Sequence, residues 1–158
     1  MSTTESVAPL ARTDRRPGAV AALLISIGVA AVLNLVVLAV LAATGADLSV
    51  TMPGGPGTLT VDAVAVIAAT AGPLLLAGLI AVAVVRRVPS LRRWAAWAGL
   101  ALAIISVIAP LTLQADAATR AGLAVMHVVA GVAWFVALTA PARGGNRPAA
   151  DPTRQGAP

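Results

Sequence analysis

The sequence predicts an all-α membrane protein: a four-transmembrane-helix bundle with both termini in the cytoplasm, and a short extracytoplasmic β-hairpin or flap between helices 1 and 2. Three observations predict it. Of 158 residues, 59% are apolar and only 11% charged, with a mean hydropathy of +0.92, whereas a soluble domain carries roughly a quarter of its residues charged. The apolar residues gather into four uncharged runs, 19–43, 63–85, 94–113 and 121–140. All eleven basic residues are arginine, and ten of them fall in the two tails and the second connection.

Residues 1–18 are rich in Pro, Ala, Thr and Arg without apolar periodicity and read as a disordered cytoplasmic tail carrying Arg12, Arg15 and Arg16. The first run has 25 residues. That is too long for the h-region of a secretory signal, so it reads as a retained anchor. The runs of 25, 23, 20 and 20 residues would form helices roughly 30 to 37 Å long, enough to cross a hydrocarbon core of about 30 Å. Backbone groups in lipid must pair within the chain, which leaves helices or closed barrels, and the runs lack the alternation of barrel strands.

Between the first two runs, Leu48, Val50 and Met52 alternate with Ser49 and Thr51. After Pro53-Gly54-Gly55-Pro56-Gly57, Leu59 and Val61 alternate with Thr58 and Thr60. Alternation on both sides of a Gly/Pro turn is a hairpin signal. The competing reading is a flexible loop, because an isolated two-stranded hairpin is marginal in water. The second connection, Arg86 to Arg93, is so short that runs two and three must be antiparallel neighbours. In the third connection Asp116 is placed to cap the last helix. Residues 141–158 read as a second disordered cytoplasmic tail, with Arg143, Arg147 and Arg154.

Arginine placement sets the orientation. The first and third connections together hold only Arg120, beside Asp47, Asp62 and Asp116, so the positive-inside rule puts the tails and second connection in the cytoplasm of a cell-membrane protein. Trp94, Trp97, Trp134 and Phe135 lie towards the same ends, where interfacial aromatics are expected. A pI near 11.8 also invites a nucleic-acid reading, but the basic residues are split among segments flanking apolar spans and form no nucleic-acid fold. Anionic lipids at the Arg-rich face are the expected partner, and a homo-oligomer or other membrane partner is left open.

Packing in lipid relies on small and polar residues. Each run has such a face: Ser26, Ala30 and Asn34; Ala65, Ala69, Pro73, Ala77 and Ala81; Gly99, Ala103, Ser106 and Pro110; Ala124, His127 and Gly131. These faces are expected to turn inwards. Counted from the outer ends, Asn34, Thr70, Ser106 and His127 fall at similar depths of roughly 10 to 14 Å, predicting one polar intramembrane layer. Two readings of the layer stand: interhelical hydrogen bonding alone, or a proton-responsive or ligand-contacting site at His127. At the outer face, Asp62, Asp116 and Arg120 are expected to form a charged clamp, with Asp47 as a further partner for the arginine.

Several residues also resemble an uncharacterised actinobacterial four-helix integral membrane protein family, a domain of unknown function. They are Asn34, the Pro/Gly loop from Pro53 to Gly57, Pro73, Pro110-Leu111, Ala118-Thr119-Arg120 and Met126-His127, within residues 17–140. The resemblance implies a four-span fold and no activity. The Lys-free, Ala- and Arg-rich composition is similar to that of proteins from high-GC actinobacterial genomes.

One His and no Cys leave no metal-ligand spacing and no disulfide. There is no phosphate loop or nucleophile elbow, and Ser106 with His127 has no evident oxyanion hole. No catalytic residue, metal or cofactor is therefore expected. The function expected is that of a non-enzymatic structural, accessory or partner-binding membrane protein, the alternative being a small transporter or proton-linked sensor using the layer around His127.

Overall fold

The structure is a computed structural model and describes residues 18–55 and 57–140. The expected tails, with their six arginines, lie outside the described residues apart from Gly18. Along the chain come α1 (Ala19–Ala43), β1 (Ser49–Thr51), β2 (Thr58–Thr60), α2 (Ala63–Arg87), α3 (Leu91–Ser106), α4 (Ile108–Leu111) and α5 (Ala117–Thr139). Four helical segments are long and apolar enough to cross a membrane: α1, α2, α3 with α4, and α5.

Local chemistry sets the helix ends. α1 stops where Gly45 takes a positive φ of 77°. Its N–H then donates to Ala42 O and that of Ala46 to Leu41 O, the paired bonds of a Schellman motif. Asp62 starts α2 by accepting from Ala65 N at 2.7 Å, and Asp116 starts α5 by accepting from Thr119 N at 2.7 Å. The third span divides after Ser106. Pro110 has no N–H to give Ser106 O, and its ring crowds that carbonyl. Val107 N instead donates to Ile104 O in a tighter turn.

The segment between α1 and α2 is a two-stranded antiparallel sheet, with Ser49, Val50 and Thr51 facing Thr60, Leu59 and Thr58. Its turn begins at Met52. Pro53 and Gly54 occupy the two central positions, Gly54 has φ 74°, and Gly55 N donates to Met52 O, the pattern of a type II turn. A hairpin this short needs further support. It receives that on its β1 edge, where Thr51 and Gln114 exchange backbone hydrogen bonds of 3.0 and 3.1 Å. Val50 and Val61 also pack down with Leu38, Leu41, Val66 and Met126. The flexible-loop reading therefore gives way to an anchored roof.

α5 is the centre of the bundle. It packs extensively on α1 and on α3, α2 packs chiefly on α1, and α2 and α3 touch only lightly. Large apolar side chains lie mostly outside, among them Leu24, Val32, Leu76, Leu79, Leu102 and Ile105. Ala30, Ala96, Gly122 and Gly131 lie inside. This inverted distribution suits a lipid solvent and close helix packing. A methyl group at Gly78 would collide with Leu23, at Gly122 with Leu41, at Gly131 with Ala103, and at Gly99 with the Trp134 indole.

Two expectations about faces are corrected. The stripe Ala65, Ala69, Pro73 and Ala77 of α2 is exposed, and only Ala81 of that series is buried. The buried face carries Val66, Thr70 and Gly78 instead, because the glycine admits Leu23 and brings α1 onto that side. Trp134 is not an interfacial ring. It is buried over Gly99 and donates through Nε1 to Ala95 O at 3.0 Å. Trp94 and Trp97 are exposed, and Trp97 meets Phe135 edge-on at 4.8 Å.

Candidate functional site

Beneath the hairpin lies a cleft of about 430 Å³. Val50, Met52 and Val61 form its roof; Ala65, Val66, Ala69 and Thr70 of α2 form one wall. Ala109, Pro110 and Leu113 form the facing wall, and Asn34 with Leu123, Met126, His127 and Ala130 form the floor. The break at Pro110 and the short side chains of α2 account for the space. Ala65, Ala69 and Ala109 are exposed, so the cleft opens sideways between α2 and α4. Its volume falls within the range of about 300 to 1,000 Å³ usual for small-molecule pockets.

The polar groups of the cleft are few. Asn34, 1% exposed, donates through Nδ2 to Thr70 Oγ1 at 2.8 Å and, at a longer 3.4 Å, to Met126 O. Its Oδ1 is buried and has no hydrogen-bond partner among the described residues. His127 Nδ1 lies 2.8 Å from Leu123 O on its own helix. Since a carbonyl can only accept, Nδ1 carries a proton and Nε2 of the neutral ring is an acceptor. Of the four residues expected in one layer, Asn34 and Thr70 are joined and His127 lines the same cleft. Ser106 stands apart. Its hydroxyl donates to Ala103 O one turn back, a bond that helical serines make readily. Ser106 and His127 are thus each committed to their own helix, not to one another.

At the hairpin end the expected charged clamp takes a different form. Asp62 is occupied as the α2 cap. Asp116 accepts from Asp47 N at 3.1 Å as well as from Thr119 N, and the buried Thr119 donates its hydroxyl to Asp47 O at 2.7 Å. The clamp is therefore a hydrogen-bonded knot of Asp47, Asp116 and Thr119, because helix N-termini compete successfully for carboxylates. Arg120 contributes through its charge. Hydrogen bonding from Thr119 holds the Asp116 carboxyl below its ordinary value near 3.8, with smaller contributions from Asp47 N–H and Arg120 and a contrary effect of desolvation.

At the opposite end Arg92 has a structural role beyond orientation. Its Nε and Nη2 donate to Leu138 O and Ala140 O, satisfying carbonyls that the end of α5 leaves unpaired and setting a cation at the negative end of its dipole. Sequence reasoning missed this contact. The available signal was an arginine one residue into α3, level with the end of an antiparallel α5. Among the described residues no three His, Cys, Asp or Glu side chains converge to hold a metal ion.

Comparison with known proteins gives one match. No curated protein and no solved structure matches the chain. Residues 12–144 match the model of a family of unknown function, DUF6069. That interval takes in all four apolar helices, the hairpin roof and every residue of the cleft, and the chain belongs to this family of unknown function, DUF6069.

Proposed function

We propose that the protein is a non-enzymatic, multi-pass component of the cytoplasmic membrane that binds a membrane-resident apolar molecule in the cleft beneath its hairpin. The observation that carries this reading is the cleft itself: about 430 Å³, walled by Ala, Val, Leu, Met and Pro, with Asn34, Thr70 and His127 as its polar groups. Apolar walls with a few fixed polar groups are the usual make-up of a ligand site. Arg86, Arg87 and Arg93, exposed at the opposite end, support an orientation with that end and both termini in the cytoplasm, in contact with anionic lipid headgroups.

A photoreactive alkyl probe in vesicles containing the full chain tests the binding reading. Crosslinks should concentrate on cleft residues and disappear in Ala69→Leu, which fills the wall; labelling spread evenly over the outer helix faces would refute it. Reporter fusions test the orientation, with an external signal expected at Gly55 and an internal one after Pro158.

A second reading, a small transporter or proton-linked sensor, is favoured by one observation: His127, the ionisable group of the cleft, lies on its floor. On that reading His127→Gln would fold normally and lose a pH-dependent solute flux in liposomes. A flux unchanged by the substitution would remove the reading.

A further inference from the structure

We propose that the ligand of the cleft is a neutral long-chain lipid alcohol whose hydroxyl donates a hydrogen bond to Asn34 Oδ1. This rests on the reading of the cleft as a binding site and adds the chemistry of what binds.

The argument begins from the unpaired acceptor. Asn34, which lines the cleft, is 1% exposed, and its Oδ1 has no donor among the described residues. Reversing the amide does not help, because Oδ1 would then face Met126 O, now 3.4 Å from Nδ2, and two acceptors would oppose each other. A buried acceptor without a partner is destabilising, so such groups mark places where a further molecule belongs. The neighbouring polar groups narrow the choice. Asn34 Nδ2 is occupied by Thr70 and Met126, and the Nδ1 proton of His127 by Leu123 O. The polar end of the cleft therefore calls for a donor.

Charge narrows it again. Among the described residues no arginine and no carboxylate lines the cleft, so a phosphate, carboxylate or ammonium headgroup would be desolvated without a counter-charge. The remaining walls are apolar and open sideways between α2 and α4, which suits a hydrocarbon chain lying along Ala65 and Ala69. A hydroxyl on such a chain supplies the donor, carries no charge and can also accept. Water is the competing occupant of Oδ1, and it makes a different prediction.

The test uses the full chain in lipid nanodiscs with three matched photoprobes: dodecanol bearing a terminal diazirine, its methyl ether, and the corresponding dodecanoate. Crosslinks are mapped by mass spectrometry. Dodecanol is expected to label the cleft about ten-fold more than the ether, the factor one well-formed hydrogen bond supplies, with dodecanoate weaker than dodecanol. Ala69→Leu should abolish cleft labelling by all three probes. Asn34→Leu should keep ether labelling and lose the preference for the alcohol; should it not fold, the contrast between alcohol and ether decides alone. Equal labelling by alcohol and ether, both blocked by Ala69→Leu, would mean that water serves Oδ1 and would overturn the alcohol while sparing the binding site. Preference for dodecanoate would also overturn it. Labelling indifferent to Ala69→Leu would overturn the site as well.

Discussion

The two ends of the bundle are built on opposite terms. At the arginine end, α3 and α5 close on each other through Gly99 and Trp134, and Arg92 ties off the last carbonyls of α5. A cavity there measures about 130 Å³. At the hairpin end the third span is broken between α3 and α4, α2 offers alanines, and Asn34, whose amide oxygen is unpaired, lines a cleft of about 430 Å³. The same α5 serves both. One end commits its polar groups to holding helices together, while the other leaves a polar group unserved, and that contrast separates structural residues from candidate binding residues.

The contrast is broken most severely at Gly99. Gly99→Val sets a branched side chain into the Trp134 indole and should cost at least the about 3 kcal/mol at the upper end of overpacking effects. The expected result is loss of a monodisperse, cooperatively unfolding protein in detergent; a melting curve like that of the parent would show that the α3–α5 contact is less close than described. Arg92→Met is next. It removes two charge-assisted bonds and should destabilise by about 2 kcal/mol, with Arg92→Lys recovering only part, since an ammonium lacks the planar fork. Thermal unfolding of the pair measures the difference.

At the hairpin end the double change Asn34→Leu with Thr70→Val should alter stability by less than about 1 kcal/mol, because both partners of a buried bond are replaced along with the orphan oxygen. Denaturation in mixed micelles, run beside the photoprobe assay, checks this. A large loss would make these residues structural in the sense that Gly99 is. The smallest effect belongs to Asp116. Its carboxyl is held below the ordinary value near 3.8, so the charged cap favours the fold above that value, and the contribution fades as pH falls through the lower folded value. Amide protection factors in the first turn of α5, taken relative to intrinsic exchange at each pH, should fall over that acid interval and stay constant there in Asp116→Asn.

Much of the frame was readable in the sequence. Unbroken apolar runs and the alternation around Pro53 to Gly57 carry strong local signals, and the four apolar helices and the two-stranded sheet follow them. Depth places Asn34 and Thr70 in one layer with Ser106 and His127, but it does not single out their hydrogen bond from that set. Ser106 could not be assigned that way, because a helical serine has an acceptor on its own backbone. Nor could the rotation of α2, whose alanine stripe and whose Val66–Gly78 face are both smooth. The choice between them depends on where Leu23 of another helix lands. The Pro110 break was foreshadowed by the proline, but the cleft it helps to open depends on what the hairpin covers.

The Thr51–Gln114 pairing carries a consequence for how affinity must be measured. Two backbone bonds hold the β1 edge of the roof against the link between α4 and α5, and on the proposed reading a ligand reaches the cleft from the bilayer through the gap between α2 and α4. Each methylene favours partition into the membrane by about 0.8 kcal/mol, and a long-chain ligand is therefore present almost wholly as a lipid component. Occupancy should follow its mole fraction in the bilayer. Diluting the vesicles in buffer would leave binding unchanged, whereas diluting the ligand with extra lipid at constant bulk concentration would empty the cleft.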